Sequence, residues 1–188
     1  MLDLYFKFIL NDDDTYLGVE HDKRIVEGWI KNNYIIYGDL TISDDLVVDC
    51  NGSVNVKNKS ITSLTNGLFR WGNVDRDFYC SCCNITTLEG SPEEVGGNFS
   101  CRQCDSLVNL KGSPESVGRD FYCRGCENLK SLEGAPEKVI GYFDCSNCNN
   151  LTSLEGVPEK IAGVFVCSYC PNLKITDSDR EMYKLHEY

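Results

Sequence analysis

The chain has 188 residues, 41% of them hydrophobic and 11% aromatic, which suffices for one domain with a real core. Eighteen Lys and Arg stand against 29 Asp and Glu, a formal charge of −11 that disfavours nucleic acid as a direct partner, because phosphate binding needs dense cations. Asp3 sits where a signal peptide wants positive charge, Lys7 interrupts the opening apolar run, and no stretch reaches the ~20 apolar residues of a membrane span; a cytoplasmic protein with reduced cysteines and no membrane partner is expected.

In chain order, Leu4 to Leu10 reads as a strand and Asp12 to Asp14 as an acidic run. Asp22 to Lys31 sets Ile25, Val26, Trp29 and Ile30 at helical spacing. Leu40-Thr41-Ile42 and Leu46-Val47-Val48 flank Asp44-Asp45 as a hairpin. Residues 1–51 together form an N-terminal α/β capping region, because whatever follows is a repeat whose open end would expose core. Val54-x-Val56, then Ile61 and Leu64, make a degenerate first unit, and a shortened unit opens at Phe78. Four copies at a 22-residue interval follow, opening at Phe99, Phe121, Phe143 and Phe165, and the repeat stops after Leu173.

The units share the pattern G-x-x-F-x-C-x-x-C-x-x-L-x-x-L-x-G-x-P-x-x-V. Its columns include Leu107, Leu129, Leu151 and Leu173; Gly90, Gly112, Gly134 and Gly156; Pro92, Pro114, Pro136 and Pro158; and Val95, Val117, Val139 and Ile161. Phe-x-Cys has period 2, so it predicts a short strand with Phe and Cys pointing inward. Gly-x-Pro stops that strand and predicts a tight turn, and the few residues left predict a compact return rather than a helix. One unit cannot bury its apolar face, so the expected fold is an α+β repeat solenoid over residues 52–175 with five to six rungs. Asp177 or Ser178 is placed as the cap of a short final helix, in the closing region 176–188, carrying Met182, Tyr183 and Leu185.

The run F-x-C-x-x-C-x-x-L resembles the leucine-rich repeat signature L-x-x-L-x-L-x-x-N/C-x-L, with Cys-x-x-Leu as in cysteine-type repeats. That resemblance covers about Gly52 to Leu173 and implies short parallel strands on a concave face. The wording SLEGAPEKVIGYFDCSNC is closer still to small leucine-rich repeat proteins encoded by large tailed bacteriophages, which usually have Asn where this chain has its second Cys. It implies binding to a host or viral protein in the host cytoplasm, without naming one.

Twelve cysteines invite a metal reading, and Cys101-x2-Cys104-x18-Cys123-x2-Cys126 has zinc-ribbon spacing. Against it, the pair recurs five times and is locked to the strand phase, which makes each first Cys a core residue and each second Cys a rung-to-rung ladder. Phe99, Cys101, Cys104, Phe121, Cys123, Cys126, Phe143, Cys145, Cys148, Phe165, Cys167 and Cys170 are therefore assigned to core and ladder, with no cofactor or metal. Cys82 is out of register and expected to be an exposed thiol, and Cys50 has no place in the array.

The residues between the repeated letters line the outward face of the strands. Glu89, Glu93, Glu94, Glu115, Glu133, Glu137, Glu155 and Glu159 fall on the returns, whereas Tyr79, Arg102, Tyr122, Arg124, Tyr142, Asp144 and Tyr169 fall on the strand face. Tyr and Arg are enriched at binding hot spots, so this set is the candidate partner-binding surface. The bland alternative is that Tyr is a good strand residue and the arginines neutralise nearby Asp. An enzyme is not expected: His21 and His186 lie in opposite caps, and no nucleotide loop, nucleophile elbow or HExxH is present. The leading expectation is a non-catalytic protein-binding module, monomeric or a weak homodimer, that binds a host protein through its concave face and inhibits or redirects it, host defence proteins included. Two alternatives stand beside it: an acidic decoy that mimics nucleic acid toward a basic protein, and a zinc-stabilised scaffold.

Overall fold

Each Phe-x-Cys run forms a two-residue strand that stacks in register on its counterpart one rung away. The computed structural model describes residues 19–56 and 58–183. On one side of the solenoid β4 (Ser53–Val56), β6 (Phe78–Tyr79), β8 (Phe99–Ser100), β10 (Phe121–Tyr122), β12 (Phe143–Asp144) and β14 (Phe165–Val166) make a parallel sheet. Phe99 pairs with Phe121, Phe121 with Phe143 and Phe143 with Phe165, so the sequence period is the rung period.

A second parallel sheet runs along the return. It contains β3 (Val47–Cys50), β5 (Arg70–Val74), β7 (Glu94–Val95), β9 (Ser116–Val117), β11 (Lys138–Val139) and β13 (Lys160–Ile161). Short parallel strands were expected on one face, with a compact return; a leucine-rich unit returns through helix or 3₁₀ turn. From β7 to β13 these return strands are two residues long, too short to show alternation, and each begins two residues after the Pro of its unit. Among the described residues the remaining side has no strand, but single backbone bonds still tie its rungs: Lys130 N–H to Val108 O at 3.1 Å and Thr152 N–H to Lys130 O at 3.2 Å.

The N-terminal end is closed by antiparallel pairing. β1 (Tyr34–Tyr37) lies antiparallel on β4, and β2 (Leu40–Ile42) antiparallel on β3. The expected hairpin is present, with one difference: Leu46 is the turn's left-handed residue (φ 57°), and its second strand starts at Val47. The predicted helix extends further both ways, as α1 (Val19–Asn33), and buries Val26 and Ile30 with Trp29 against the core. Tyr34, Phe69, Trp71 and Phe78 meet in edge and tilted contacts, a plug of large rings between the cap and the first rungs. The predicted strand at Leu4 to Leu10 and the run Asp12 to Asp14 lie outside the described residues.

At the other end α2 (Asp177–Tyr183) covers the last rung through Tyr183, whose ring stands 5.3 Å from that of Phe165. Its cap is Thr176 rather than Asp177 or Ser178. Asp179 N–H donates to Thr176 Oγ1 while Asp179 Oδ2 accepts from Thr176 N–H at 2.8 Å, a reciprocal capping box. Leu185 and His186 lie outside the described residues.

The interior is a set of columns. Phe78, Phe99, Phe121 and Phe143 are fully buried and stack face to face at 5.1 to 5.6 Å. Cys80, Cys101, Cys123 and Cys145 are equally buried beside them, as are Leu107, Leu129 and Leu151. The Gly column serves close approach: at Gly134 (φ +83°) a Cβ would lie 2.5 Å from Lys111 Cα, so only glycine lets adjacent rungs come together there.

Candidate functional site

All twelve cysteines are free thiols. The second Cys of each pair completes the backbone ladder where the strand ends. Cys126 S–H donates to the Cys101 carbonyl at 3.1 Å, Cys104 to Cys80 at 3.2 Å, Cys148 to Cys123 at 3.3 Å and Cys170 to Cys145 at 3.3 Å. Each thiol thus satisfies a buried carbonyl of the preceding rung, which is the ladder role its spacing suggested. Burial pushes the thiols of Cys80, Cys101, Cys123 and Cys145 well up, and that of Cys148 up to about 12. Such thiols are poor nucleophiles. Among the described residues no group of three or more His, Cys, Asp or Glu side chains is placed to hold a metal ion, the zinc-ribbon set Cys101, Cys104, Cys123 and Cys126 included.

Cys82 is exposed, as expected, but it is not out of register. It occupies the left-handed corner just before the second Cys, the position held by Gln103, Gly125, Asn147 and Tyr169 on later rungs. Its Sγ reaches Gln103 Oε1 one rung on, at 3.6 Å. Cys50, unplaced in the sequence, is buried in β3 and pairs with Val74 at a bulge of the second sheet.

On the outward face of the first sheet, Tyr79, Ser100 and Tyr122 are in register on consecutive rungs. Ser100 points outward yet is buried, because its larger neighbours cover it, and its hydroxyl meets that of Ser81 at 2.9 Å. Arg102 lies over the Tyr122 ring, its guanidinium carbon 4.0 Å from the ring centre. Arg124 is Arg102's neighbour on the next rung, and both are exposed. Tyr122 Oη donates to Asp120 Oδ2 at 2.7 Å, and that bond, with burial, pushes its hydroxyl up to about 12. Tyr79 is raised as well, chiefly by burial.

The carboxylates of this face have a task that periodicity alone did not reveal. Asp77 Oδ1 accepts Asn98 N–H at 2.7 Å, Asn98 Oδ1 accepts Asp120 N–H at 3.1 Å, and Asp120 Oδ1 accepts Tyr142 N–H at 2.8 Å. This polar ladder climbs the corner where the second sheet hands over to the first. Asp144 is half-buried and turned to its own chain, accepting Ser146 N–H at 2.9 Å. The signal in the sequence was the Asp-Asn-Asp column itself, ending where Tyr142 and Val164 replace it.

Of the candidate partner-binding residues, Tyr79, Arg102, Tyr122 and Arg124 come together. Tyr142 stands one rung further along the corner, 49% exposed beside Val164 at 52%. Tyr169 is apart from them, 82% exposed in a left-handed backbone (φ 58°) that favours Gly or Asn over an aromatic residue. The Glu residues of the returns are all exposed, and Glu93, Glu115 and Glu137 stack through backbone bonds of 2.9 and 3.0 Å. No helix among the described residues is long and apolar enough to cross a membrane. Comparison with family models, with curated proteins and with solved structures finds no match to this chain.

Proposed function

We propose that this chain is a non-catalytic protein-binding solenoid that holds its partner on the outward face of the first sheet. The observation that carries this is the convergence of Tyr79, Arg102, Tyr122 and Arg124 on adjacent rungs, with Arg102 stacked on Tyr122. Planar, rotamer-poor side chains held in place offer large contact area at low ordering cost. The left-handed Tyr169 and the exposed Tyr142 and Val164 extend that surface toward the C-terminal end. Its resemblance to small leucine-rich repeat proteins of large tailed bacteriophages would make the partner a host protein, defence proteins included, and the site of action the host cytoplasm.

A second reading has its own observation. The stacked Glu93, Glu115 and Glu137, in a chain of net charge −11, would suit an acidic decoy for a basic protein. The two readings separate in one experiment. The chain and its Arg102→Glu/Arg124→Glu variant are each used to capture protein from a host lysate, at low and high salt. A partner of the first-sheet face is lost in the variant and, with Tyr79 and Tyr122 contributing apolar contact beside the arginines, loses only part of its affinity as salt rises. A partner of the acidic surface is retained or strengthened in the variant and falls away steeply as salt rises.

A further inference from the structure

We infer that the Arg102–Arg124 pair is the seat for a carboxylate of an acidic, extended segment of the protein partner. This rests on the reading of the first-sheet face as the binding surface. Three observations lead to it. The chain carries 29 acidic against 18 basic side chains, yet neither arginine has a carboxylate within ion-pair distance among the described residues. The acids nearest along the face are committed elsewhere: Asp77 to a backbone N–H, Asp120 to a backbone N–H and the Tyr122 hydroxyl, and Asp144 to the Ser146 N–H and hydroxyl. They hold the scaffold and, among the described residues, form no ion pair with either guanidinium group. Finally, Arg102 is pre-positioned by Tyr122, so closing on a ligand costs it little further ordering.

Adjacent rungs set the two arginines in the turns that follow neighbouring strands, whose ordinary spacing is ~4.8 Å. One carboxylate can bridge two guanidinium groups at that separation with charge-assisted hydrogen bonds. The surrounding Asp77, Asp120 and Asp144 decide the class of anion. A single negative charge held between the two guanidinium groups meets less repulsion from these three fixed carboxylates than a dianionic phosphate or a nucleic-acid backbone would. Tyr79 and Tyr122, flanking the covered Ser100, then supply apolar contact on either side of the chain that carries the carboxylate.

The test uses the full chain and fluorescein-labelled ten-residue peptides read by anisotropy. An alternating Glu-Ser peptide is compared with Gln-Ser and phosphoserine-Gly peptides and with a ten-nucleotide single-stranded DNA. The Glu-Ser peptide is expected to bind at least tenfold tighter than each of the others. Arg102→Gln/Arg124→Gln should remove that preference, Arg102→Lys/Arg124→Lys should keep part of it, and Arg70→Gln on the second sheet should leave it unchanged. Equal binding of Glu-Ser and Gln-Ser, tighter binding of the phosphorylated peptide or DNA, or indifference to the Gln pair each overturns the inference. A captured partner lost on Tyr79→Ser/Tyr122→Ser but kept on the Gln pair would overturn the carboxylate seat and leave the binding face standing. A partner kept in both would remove the face as well.

Discussion

The middle rungs and the last rung are written in the same letters and differ in what those letters do. Phe99, Phe121 and Phe143 stack within 6° of parallel at 5.1 to 5.2 Å, but Phe165 tilts by 47° from Phe143 and turns toward Tyr183. Cys123, Cys126 and Leu129 are fully buried, whereas their equivalents Cys167, Cys170 and Leu173 are only half-buried. A solenoid residue is stabilised by the rung on each side of it, and the last rung has only one. At the opposite end this is managed by antiparallel strands and a 15-residue helix; here a seven-residue helix covers less.

The largest test of that difference is aromatic truncation. Phe121→Ala should cost roughly 3–5 kcal/mol, the usual range for a fully buried Phe, while Phe165→Ala should cost clearly less. Urea unfolding of both variants measures it, and equal losses would mean that the last rung is as well supported as the middle. Next in size is the thiol ladder. Cys126→Ala leaves the buried Cys101 carbonyl without its donor and should cost about 1–3 kcal/mol. Cys170→Ala at the half-buried end should cost less than that, since water can replace the thiol.

The smallest effect is in alkali. Burial pushes Cys167 up to about 11 and Cys148 up to about 12, from an ordinary thiol value of 9.0. A folded-state value above the unfolded one favours the fold while the thiol stays protonated. That contribution is complete below pH 9, and it is lost as pH rises through about 11 for Cys167 and about 12 for Cys148. The urea midpoint is therefore expected to hold from pH 7 to 8.5 and fall above 9. Iodoacetamide labelling followed by mass spectrometry should modify Cys82 first, Cys167 and Cys170 next, and the middle cysteines only on unfolding. Early modification of Cys123 or Cys145 would show that the middle rungs open as easily as the end.

Much of this architecture was legible because a 22-residue repeat leaves few ways to stack. Period 2 in Phe-x-Cys, a Pro column and a Gly column locate the first sheet, the turns and the places where backbones approach. The cysteines were legible for the same reason: a pair locked to the strand phase is a core and ladder element, and the Cys126-to-Cys101 bond is that reading in atoms. Two-residue strands carry no period of their own, so Glu94–Val95 and its counterparts were hidden until their neighbours stood beside them.

What the sequence alone determined is the inside of the molecule, since identical letters at a constant interval can bury themselves only against one another. Tertiary structure decided the outside. Asp77, Asp120 and Asp144 look in the sequence like free surface charge, and only stacking turns the first two toward the N–H groups of the next rung. Among the described residues Arg102 and Arg124 then have no ion-pair carboxylate, because what a charged side chain meets depends on partners 21 or 22 residues away that pairing alone brings to hydrogen-bond distance.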